Sequence, residues 1–477
     1  MDSEKYLIKN EFLKSSENVT EIINPFTDKT VYKVYKSTAD DINTSLNYLT
    51  NVFGEYKKLP VYKKSDLLKK VADKMEYKRE MLAEVMTKET GKPIKLARGE
   101  VDRAIFTFRC GAEEARRIDG EIIPIDQMPG AENKIGLIRK FPIGVILAIT
   151  PWNFPMNLVA HKISPALASG NTVLLKPASA SLVSGLEIVK IIKEVTDEMN
   201  LGYCPVNVVT CSGSEIEQFV NDDRIKLVSF TGSPAVGWNL KKKLSMQRIS
   251  LELGGNAGVI VDESADIKTA AEKIAIGAFS HAGQSCISVQ RVFVHKNIID
   301  EFKKIITDIT SKIKYGDPFD EDTLVGPMIN KGECKRIQRW IEEALNTSGE
   351  YLYGGKADGA VLEPTILINT NPQSNVNSQE VFAPLMTIRE FTDFRQAVDE
   401  LNNSDFGLQA GVFTNDFSNI MYAYENIETG GVVINDVSTF RMDSMPYGGT
   451  KHSGIGKEGV KYAIEEMTER KILIINK

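Results

Sequence analysis

Two kinds of apolar pattern divide this chain. From Val61 to about Arg117, apolar residues recur at steps of three and four, which predicts amphipathic helices interrupted at Gly91–Lys92–Pro93. From Gly144 onward, short apolar runs alternate with helical stretches. We predict strands at 144–149, 172–175, 206–209 and 227–230, and helices at 157–169, 182–198, 215–221 and after Ser233. Apolar strands separated by helices predict a parallel sheet covered on both faces, an α/β fold.

Two further patterns complete the predicted architecture. Strands and helices alternate again from Ala257 to about Asn435. Residues 121–125 and 135–140 alternate apolar and polar positions around a polar loop, which predicts a hairpin. The apolar C-terminal strand 471–475 is a candidate to cover the hairpin edge, and we expect this pairing to be made between subunits. A chain of 477 residues is expected to form two or three domains.

Composition excludes several classes of protein. The net charge of −6 argues against a nucleic-acid-binding surface, and no apolar run approaches the roughly 18 residues needed to cross a bilayer. Five irregularly spaced cysteines form neither a disulfide framework nor a CxxC metal site. The N-terminal residues lack the pattern of a signal peptide. We therefore expect a soluble cytoplasmic protein that binds no metal, nucleic acid or membrane.

Three polar clusters follow predicted strands of the first sheet. They are Pro151–Trp152–Asn153–Phe154–Pro155, Lys176–Pro177–Ala178–Ser179 and Thr231–Gly232–Ser233. Parallel sheets bind ligands beyond the carboxyl ends of their strands, so this arrangement predicts a nucleotide site, although the GxGxxG fingerprint is absent. Glycine and serine at a helix start supply free N–H groups for a pyrophosphate, but Ser233 before a proline is equally a simple N-cap.

The candidate chemistry lies in Gly283–Gln284–Ser285–Cys286 and Glu252–Leu253–Gly254–Gly255. Cys286 follows a glycine, an amide and a hydroxyl, which indicates a tight loop with N–H donors near the sulfur. Glu252 ends an apolar run before two glycines, where its carboxylate faces open space. A thiol nucleophile and a carboxylate base suggest chemistry through a thioester, although a lone cysteine is more often a packing residue. Similarly, the Asn153 amide either donates to an oxyanion or caps a turn.

In combination these segments resemble the aldehyde dehydrogenase superfamily over nearly the whole chain, with archaeal lactaldehyde and glyceraldehyde dehydrogenases most similar in appearance. Further motifs that carry the resemblance, in family order, are Asn24–Pro25, Lys162 within the segment 161–167, Gly170–Asn171–Thr172, Glu380–Val381–Phe382–Ala383–Pro384, Pro446–Tyr447–Gly448–Gly449 and Ser453–Gly454–Ile455–Gly456. The resemblance implies a Rossmann-like cofactor domain (1–118 and 141–253), a catalytic domain (254–446) and a small β oligomerisation element (119–140 and 447–477). It also implies a dimer or tetramer.

The resemblance also implies a role for each catalytic residue. Cys286 would attack the aldehyde carbon, and the Asn153 side chain with the Cys286 backbone N–H would hold the oxyanion. Glu252 would activate the water that hydrolyses the thioester, whereas relatives that transfer the acyl group to CoA typically lack this glutamate. Lys162 and Glu469 would form a proton relay behind Glu252.

The cofactor implied by the resemblance is NAD or NADP. Glu380 would hold the nicotinamide ribose, with Phe382 beside the ring. The full set of expected cofactor residues is Ile149, Trp152, Lys176, Ser179, Gly213, Gly232, Ser233, Leu253, Glu380 and Phe382. The family often has glutamate at the position of Ser179, and a carboxylate there would repel a 2′-phosphate. We therefore expect NADP to be accepted and preferred. The family usually has glycine at the position of Cys211, so the resemblance does not imply a contact between the cofactor and the backbone of Cys211.

Substrate recognition is the least determined feature. Succinic semialdehyde dehydrogenases commonly have arginine at the position of His161, and non-phosphorylating glyceraldehyde-3-phosphate dehydrogenases tend to have arginine at the position of Ser285. These departures favour a short hydroxylated aldehyde such as lactaldehyde or glyceraldehyde, with Asn157 and His161 as contacts. Arg109 and Arg441 are the candidate sources of charge if the substrate is anionic. His161 has an equally simple interpretation as a capped helix residue, and a non-catalytic ligand-binding relative is the alternative of a different class.

Overall fold

The structure, a computed structural model, describes residues 3–476. Its α-helices are α1 (Ala39–Tyr56), α2 (Val61–Tyr77), α3 (Arg79–Thr90), α4 (Ile94–Glu114), α5 (Asn157–Ser169), α6 (Leu182–Glu198), α7 (Gly213–Glu217), α8 (Pro234–Lys243), α9 (Ile267–Phe279), α10 (Ile299–Ser311), α11 (Lys331–Leu345), α12 (Asn375–Ser378), α13 (Phe394–Asn402), α14 (Phe417–Asn426) and α15 (Val460–Glu466). Short 3₁₀ turns follow α4 at Ala115–Arg117 and α9 at Ser280–Gly283.

The strands are β1 (Tyr6–Ile8), β2 (Glu11–Leu13), β3 (Val19–Asn24), β4 (Lys29–Tyr35), β5 (Gly120–Pro124), β6 (Lys134–Pro142), β7 (Val145–Ile149), β8 (Thr172–Lys176), β9 (Val206–Val208), β10 (Ile225–Thr231), β11 (Arg248–Glu252), β12 (Gly258–Val261), β13 (Arg291–His295), β14 (Glu350–Tyr353), β15 (Ala357–Asp358), β16 (Val361–Leu362), β17 (Thr365–Ile368), β18 (Leu385–Phe391), β19 (Phe406–Gly407), β20 (Gln409–Phe413), β21 (Gly431–Ile434), β22 (Thr450–Lys451), β23 (Gly454–Ile455) and β24 (Thr468–Asn476).

A six-stranded sheet in the order β23-β11-β10-β7-β8-β9 forms the first half of the molecule. Its strands are parallel except for β23, which pairs antiparallel with β11. The residues of β7, β8 and β9 are all buried, and most of them are Val, Ile, Leu or Ala, as expected for strands covered on both faces. The predicted parallel sheet is confirmed.

A seven-stranded sheet in the order β14-β17-β18-β13-β12-β20-β21 forms the second half. Its central strands are parallel, and only β14 at one edge is antiparallel to its neighbour. Helices α9, α10 and α11 share an apolar core with this sheet. The chain therefore contains two α/β sheets whose strand ends are available to build one site between them.

The hairpin and the C-terminal strand form a small third sheet in the order β24-β6-β5. Strand β24 pairs with β6 over nine residues of the same chain. The expectation that this pairing joins two subunits is therefore wrong, because the C-terminus returns to its own hairpin. Residues 447–466, assigned to the same element from the sequence, instead contribute β23 to the six-stranded sheet and pack α15 against α4 and α5.

Helices α2, α3 and α4 pack beside the six-stranded sheet, as the pattern of apolar positions predicts. The break between α3 and α4 occurs at Gly91, whose φ of 68° suits glycine, and Pro93 precedes the first residue of α4. Within residues 3–476, no helix is long and apolar enough to cross a membrane, and no cluster of His, Cys, Asp and Glu has the geometry of a metal site.

Candidate active site

A cavity of about 830 Å³ lies beyond the carboxyl ends of β7, β10 and β11. The first half of the chain contributes residues 151–154, 231–233 and 252–254 to its wall, and the second half contributes residues 284–287 with parts of the segments 328–340 and 439–458. Among the predicted residues, those that line the cavity are Cys286, Glu252, Asn153, Trp152, Gly232, Ser233, Leu253, Glu380, Phe382, Asn157 and Arg441.

Cys286 is held by an unusual turn after α9. His281, Ala282 and Gly283 have consecutive positive φ angles of 53°, 55° and 65°, a conformation that is costly for residues other than glycine. A Cβ atom at Gly283 would overlap the carbonyl oxygen of Ala383, so the backbone is closely packed there. The Cys286 Sγ lies 3.2 Å from the hydroxyl of Tyr447, and burial raises the pKa of the Cys286 thiol above its ordinary value. Burial therefore opposes ionisation of the resting thiol.

The Asn153 side chain is fixed next to this turn. Its Nδ2 donates to the carbonyl oxygen of Gln284 at 3.0 Å, and Gln284 is itself held by bonds to His281, Pro327 and Ile329. An amide nitrogen carries two hydrogens. One hydrogen of Asn153 Nδ2 is therefore committed to orienting the side chain, which leaves the second available to a ligand in the cavity.

Glu252 ends β11 with its carboxylate buried and 3 % exposed. Within the described residues, neither carboxylate oxygen has a hydrogen-bond partner. Burial, followed by the nearby Glu458 charge, raises the pKa of Glu252 well above its usual range. A buried carboxyl with unfilled hydrogen-bonding capacity and a raised pKa has the properties of a general base or acid.

Lys162 on α5 forms a buried network with a different glutamate from the one expected. Its Nζ lies 3.2 Å from Glu458 Oε1 and 3.1 Å from Ser229 Oγ. Arg441 Nη2 lies 2.9 Å from the other Glu458 oxygen, and although burial opposes ionisation, Lys162 and Arg441 hold the pKa of Glu458 below its usual range. The predicted relay role of Glu469 is wrong. Glu469 lies on the outer strand β24, 67 % exposed and paired with Arg248, because the chain has already left the site when it reaches that strand.

The helix N-termini show where an anionic cofactor group fits. Glu100 accepts hydrogen bonds from the first N–H groups of α5, and Glu89 does the same for α6. The N-terminus of α8 differs, because Ser233 forms no side-chain cap among the described residues and Gly232 and Ser233 line the cavity. A Cβ atom at Gly232 would lie 2.6 Å from the Phe230 ring, so the wall is already filled on that side. The geometry therefore fits a pyrophosphate at α8.

Glu380 and Phe382 lie in the same wall of the cavity. Glu380 Oε1 accepts a hydrogen bond from the Gly255 N–H at 3.0 Å, and burial raises the pKa of Glu380 to about 7. The ring of Phe382 meets that of Trp152 edge-on at 5.7 Å between centroids. Leu253 is a buried residue of the same cavity wall, and its N–H donates to the carbonyl oxygen of Ser453. This arrangement places a carboxylate beside aromatic surface, which suits a ribose next to a planar ring.

Four predicted cofactor residues lie outside the cavity, at the neighbouring strand ends. Ile149 ends β7, and Lys176 ends β8 with 5 % exposure, where burial lowers the pKa of its ammonium group. Ser179 is exposed in the following turn, and Gly213 is exposed at the start of α7. These positions continue from the cavity along the carboxyl edge of the sheet, as an extended dinucleotide requires.

The predicted substrate residues separate into three groups. Asn157 and Arg441 line the cavity, whereas His161 lies behind it, 2.8 Å from Asp443 and 3.2 Å from Arg441. Arg109 is an incorrect candidate, because it lies on the outer surface and pairs with Glu76 at 2.7 Å.

Arg103 is the arginine of α4 that does line the cavity, held by Asp443 at 2.8 Å. It precedes Arg109 by six residues, about 600° around the helix, so the two side chains leave different faces. The helical period of α4 therefore distinguishes the arginine that faces the cavity, Arg103, from the one that faces outward, Arg109.

Comparisons with known proteins agree with this geometry. The model of the aldehyde dehydrogenase family matches residues 12–473. The 3-sulfolactaldehyde dehydrogenase of Priestia aryabhattai is 42 % identical over 96 % of this chain and 94 % of its own length. The lactaldehyde dehydrogenase of Methanococcus vannielii is 37 % identical over 96 % of this chain and 97 % of its own.

Among solved structures, glyceraldehyde-3-phosphate dehydrogenase GapN from Methanocaldococcus jannaschii, complexed with NADP, superposes with a TM-score of 0.93 at 36 % identity, covering 97 % of this chain and 100 % of that one. Both the match to the family model and the likeness to relatives extend over nearly the whole chain. The chain therefore belongs to the aldehyde dehydrogenase family, as an NAD(P)-dependent aldehyde dehydrogenase.

Proposed function

We propose that this enzyme oxidises a short 2-hydroxyaldehyde to the carboxylic acid with NADP, through a thioester on Cys286. The observation that carries the proposal is that the Cys286 thiol, the Asn153 amide and the Glu252 carboxylate line one cavity. The Cys286 thiolate adds to the aldehyde carbon, and Asn153 Nδ2 with the Cys286 backbone N–H donates to the oxyanion. NADP, when bound, accepts the hydride. In its ionised form, Glu252 takes a proton from the water that hydrolyses the thioester, and a proton returned to the released sulfur restores the thiol.

The hydrolytic step is tested by trapping the acyl-enzyme. Glu252→Gln keeps the side-chain volume but removes the base, so mixing the variant with aldehyde and NADP is expected to leave the acyl group on Cys286. Intact-mass spectrometry then shows the added acyl mass, and peptide mapping places it on Cys286. The matched variant Cys286→Ser is expected to show no thioester. An acyl-enzyme that is released by CoA but not by water in the wild-type protein would contradict the hydrolytic assignment.

The substrate proposal rests on Arg441. Its Nε is buried and has no acceptor within residues 3–476, while its Nη2 is engaged with Glu458. A buried donor without an acceptor costs free energy, about 1 to 3 kcal/mol, which a ligand oxygen recovers. Because Arg441 lines the cavity that contains the thiol, the 2-hydroxyl of a three-carbon aldehyde is a suitable acceptor. Lactaldehyde and glyceraldehyde are the substrates we propose first.

A second candidate is a three- or four-carbon aldehyde with a terminal anion. The observation that favours it is that two arginines, Arg103 and Arg441, line the cavity. The Priestia relative named for 3-sulfolactaldehyde supports this alternative, as does the GapN structure named for glyceraldehyde-3-phosphate. Succinic semialdehyde belongs to the same class.

Initial rates with both cofactors separate these substrates. The panel is lactaldehyde, both glyceraldehyde enantiomers, 3-sulfolactaldehyde, glyceraldehyde-3-phosphate, succinic semialdehyde and propanal. The highest kcat/KM for a neutral hydroxyaldehyde supports the first candidate. A preference of tenfold or more for an anionic aldehyde, lost in Arg103→Met, would replace the first candidate by the second. Propanal measures how much the hydroxyl contributes.

The proposed preference for NADP rests on Ser179 and Lys176. Ser179 is an exposed hydroxyl three residues after the buried lysine that ends β8, so a 2′-phosphate finds a donor and a positive charge there. The carboxylate that interacts with Lys176 belongs to Glu215 at the start of α7, not to the position of Ser179. Ser179→Glu is expected to lower the ratio of kcat/KM for NADP over NAD by at least about tenfold through charge repulsion. Ser179→Ala serves as the control that removes only the hydroxyl. An unchanged ratio in the glutamate variant would contradict the assignment.

We also propose that the chain associates with itself through strand β24. Ile472, Leu473, Ile474 and Ile475 are 46 %, 56 %, 53 % and 42 % exposed, an apolar run at the edge of the small sheet. Exposed apolar edges of this kind indicate a partner surface. Size-exclusion chromatography with light scattering is expected to show a dimer or tetramer, and Leu473→Lys is expected to shift it toward monomer. A stable, active wild-type monomer would refute this.

A further inference from the structure

The hydroxyl of Tyr447 is buried against the proposed nucleophile. Its Oη lies 3.2 Å from Cys286 Sγ, and the tyrosine is 4 % exposed in the cavity wall. Within the described part of the chain, Cys286 is the hydrogen-bond partner of this hydroxyl. A buried phenol whose partner is a sulfur contributes little to stability, since sulfur is a weak hydrogen-bond acceptor unless it is ionised.

Arg441 covers the ring of the same tyrosine. Its guanidinium carbon lies 3.7 Å from the centre of the Tyr447 ring, and the arginine side chain is 7 % exposed. Glu458 holds Arg441 through a 2.9 Å bond, and the backbones of Tyr447 and Glu458 exchange two hydrogen bonds of 3.1 and 2.6 Å. The carboxylate, the guanidinium and the phenol are therefore fixed in one stack that ends at the sulfur.

We propose that Tyr447 donates the hydrogen bond that stabilises the Cys286 thiolate, and that the stacked Arg441 guanidinium strengthens this bond. The proposal rests on the proposed function, in which Cys286 is the nucleophile. A cation over the ring face draws electron density from the phenol, which makes its O–H a stronger donor, and adds positive charge near the sulfur. On ionisation the S–H bond breaks and its proton passes to solvent water. Tyr447 keeps its own proton and turns it toward the sulfur.

The charges around the sulfur show why such a donor is needed. Burial opposes the thiolate, whereas the bond to Tyr447 and the Arg441 charge favour it; Glu380 and Glu252 oppose it when they are ionised. A reactive cysteine requires an electropositive environment. Here Tyr447 and Arg441 are the groups that supply it.

The rate of Cys286 alkylation by iodoacetamide between pH 6 and 10.5 tests the proposal without turnover. Peptide mapping follows Cys286 separately from the other four cysteines. Tyr447→Phe is expected to raise the pH midpoint of alkylation by about one to two pH units and to slow the reaction at pH 7.5 by about tenfold to a hundredfold, the value of one hydrogen bond to an ionised group. Tyr424→Phe, on exposed α14, is the matched control and is expected to leave the profile unchanged.

Two arginine variants separate the stack from the hydroxyl. Arg441→Met is expected to raise the midpoint in the same direction, and Arg441→Lys, which keeps the charge but loses the planar stack, is expected to fall between it and wild type. A midpoint that Tyr447→Phe leaves unchanged, in a protein with wild-type thermal unfolding, overturns the proposal. A midpoint that only the tyrosine variant moves overturns the role of Arg441. If complete alkylation of Cys286 leaves the dehydrogenase activity intact, the proposed function is wrong instead.

Discussion

Replacing the carboxyl group of Glu252 is expected to abolish turnover and to remove a loss of stability that grows as the pH rises. The side chain is 3 % exposed, and neither of its oxygens has a partner among residues 3–476. Burial and the Glu458 charge raise the pKa of Glu252 well above 4.5. The folded state therefore binds a proton that the unfolded state releases. The stability that this proton contributes is fully present below pH 4.5 and is lost as the pH rises toward the folded-state pKa.

The expected size follows from this linkage. Between the unfolded and folded pKa values, the free energy of unfolding falls by up to about 1.4 kcal/mol per pH unit. At pH 7.5, three units above the ordinary value, Glu252 costs at most about 4 kcal/mol relative to pH 4.5. Glu252→Gln removes this dependence, although its amide adds an offset that does not change with pH. The difference in stability between the variant and wild type is therefore expected to grow with pH.

The assay is the midpoint of thermal unfolding, Tm, of both proteins at pH 5, 6, 7 and 8, in one ionic strength and without cofactor. The Tm of Glu252→Gln minus that of wild type is expected to increase by several degrees across this range. Glu469→Gln, an exposed substitution, is the control and is expected to change Tm little at any of these pH values. A Tm difference that stays flat or falls with pH would refute the reasoning that burial and the Glu458 charge raise the pKa of Glu252 in the folded protein.

Two other substitutions test the site with matched controls. Glu458→Gln leaves the buried cations of Lys162 and Arg441 without their carboxylate, so chemical denaturation is expected to show a loss of about 3 to 5 kcal/mol in the free energy of unfolding. The control Glu469→Gln is expected to lose less than about 0.5 kcal/mol. Equal losses would make Glu469 a candidate for the relay again. Gly283→Ala is expected to lower both kcat and Tm, because its Cβ would overlap a backbone carbonyl. Gly130 also has a positive φ but has open space around it, so Gly130→Ala measures the cost of the backbone conformation alone. Comparable losses of Tm in the two variants would contradict the close packing of the cysteine turn.

The elements that the sequence predicts best are those with an unambiguous period. Helices α5 and α6 begin and end at the predicted residues, and strands β7, β8, β9 and β10 overlap their predictions within two residues at either end. Continuous apolar runs mark strands buried on both faces, and glycine at the C-cap of α5 marks its end, where Gly170 has a φ of 96°. Helix α1 was missed, although Thr38 and Asp41 form a capping box at its start.

The sequence predicts site residues that lie inside short motifs, and it does not predict residues that reach the site only through tertiary packing. Cys286, Glu252 and Asn153 each stand inside a short local pattern, and all three line the cavity. Glu458 follows the glycine-rich segment 453–456 and Glu469 ends the segment 462–469, and only the turn of the chain into β24 shows that Glu469 leaves the site. No local pattern distinguishes a glutamate that faces Lys162 from one that faces solvent.

The pairing of charges in the cavity wall is the feature that the sequence predicts least. Lys92 pairs with Glu100, Arg103 with Asp443 and Arg441 with Glu458, across separations of 8, 340 and 17 residues. Each pair combines one cation and one carboxylate, so an inventory of arginines overstates the positive charge that a substrate meets. Beyond these ion pairs, the Arg441 Nε still has a hydrogen to donate to a ligand. Recognition by a remaining donor accommodates a hydroxyl as well as one oxygen of an anion. The kcat/KM panel of aldehydes therefore measures whether a net charge or a single hydrogen bond selects the substrate.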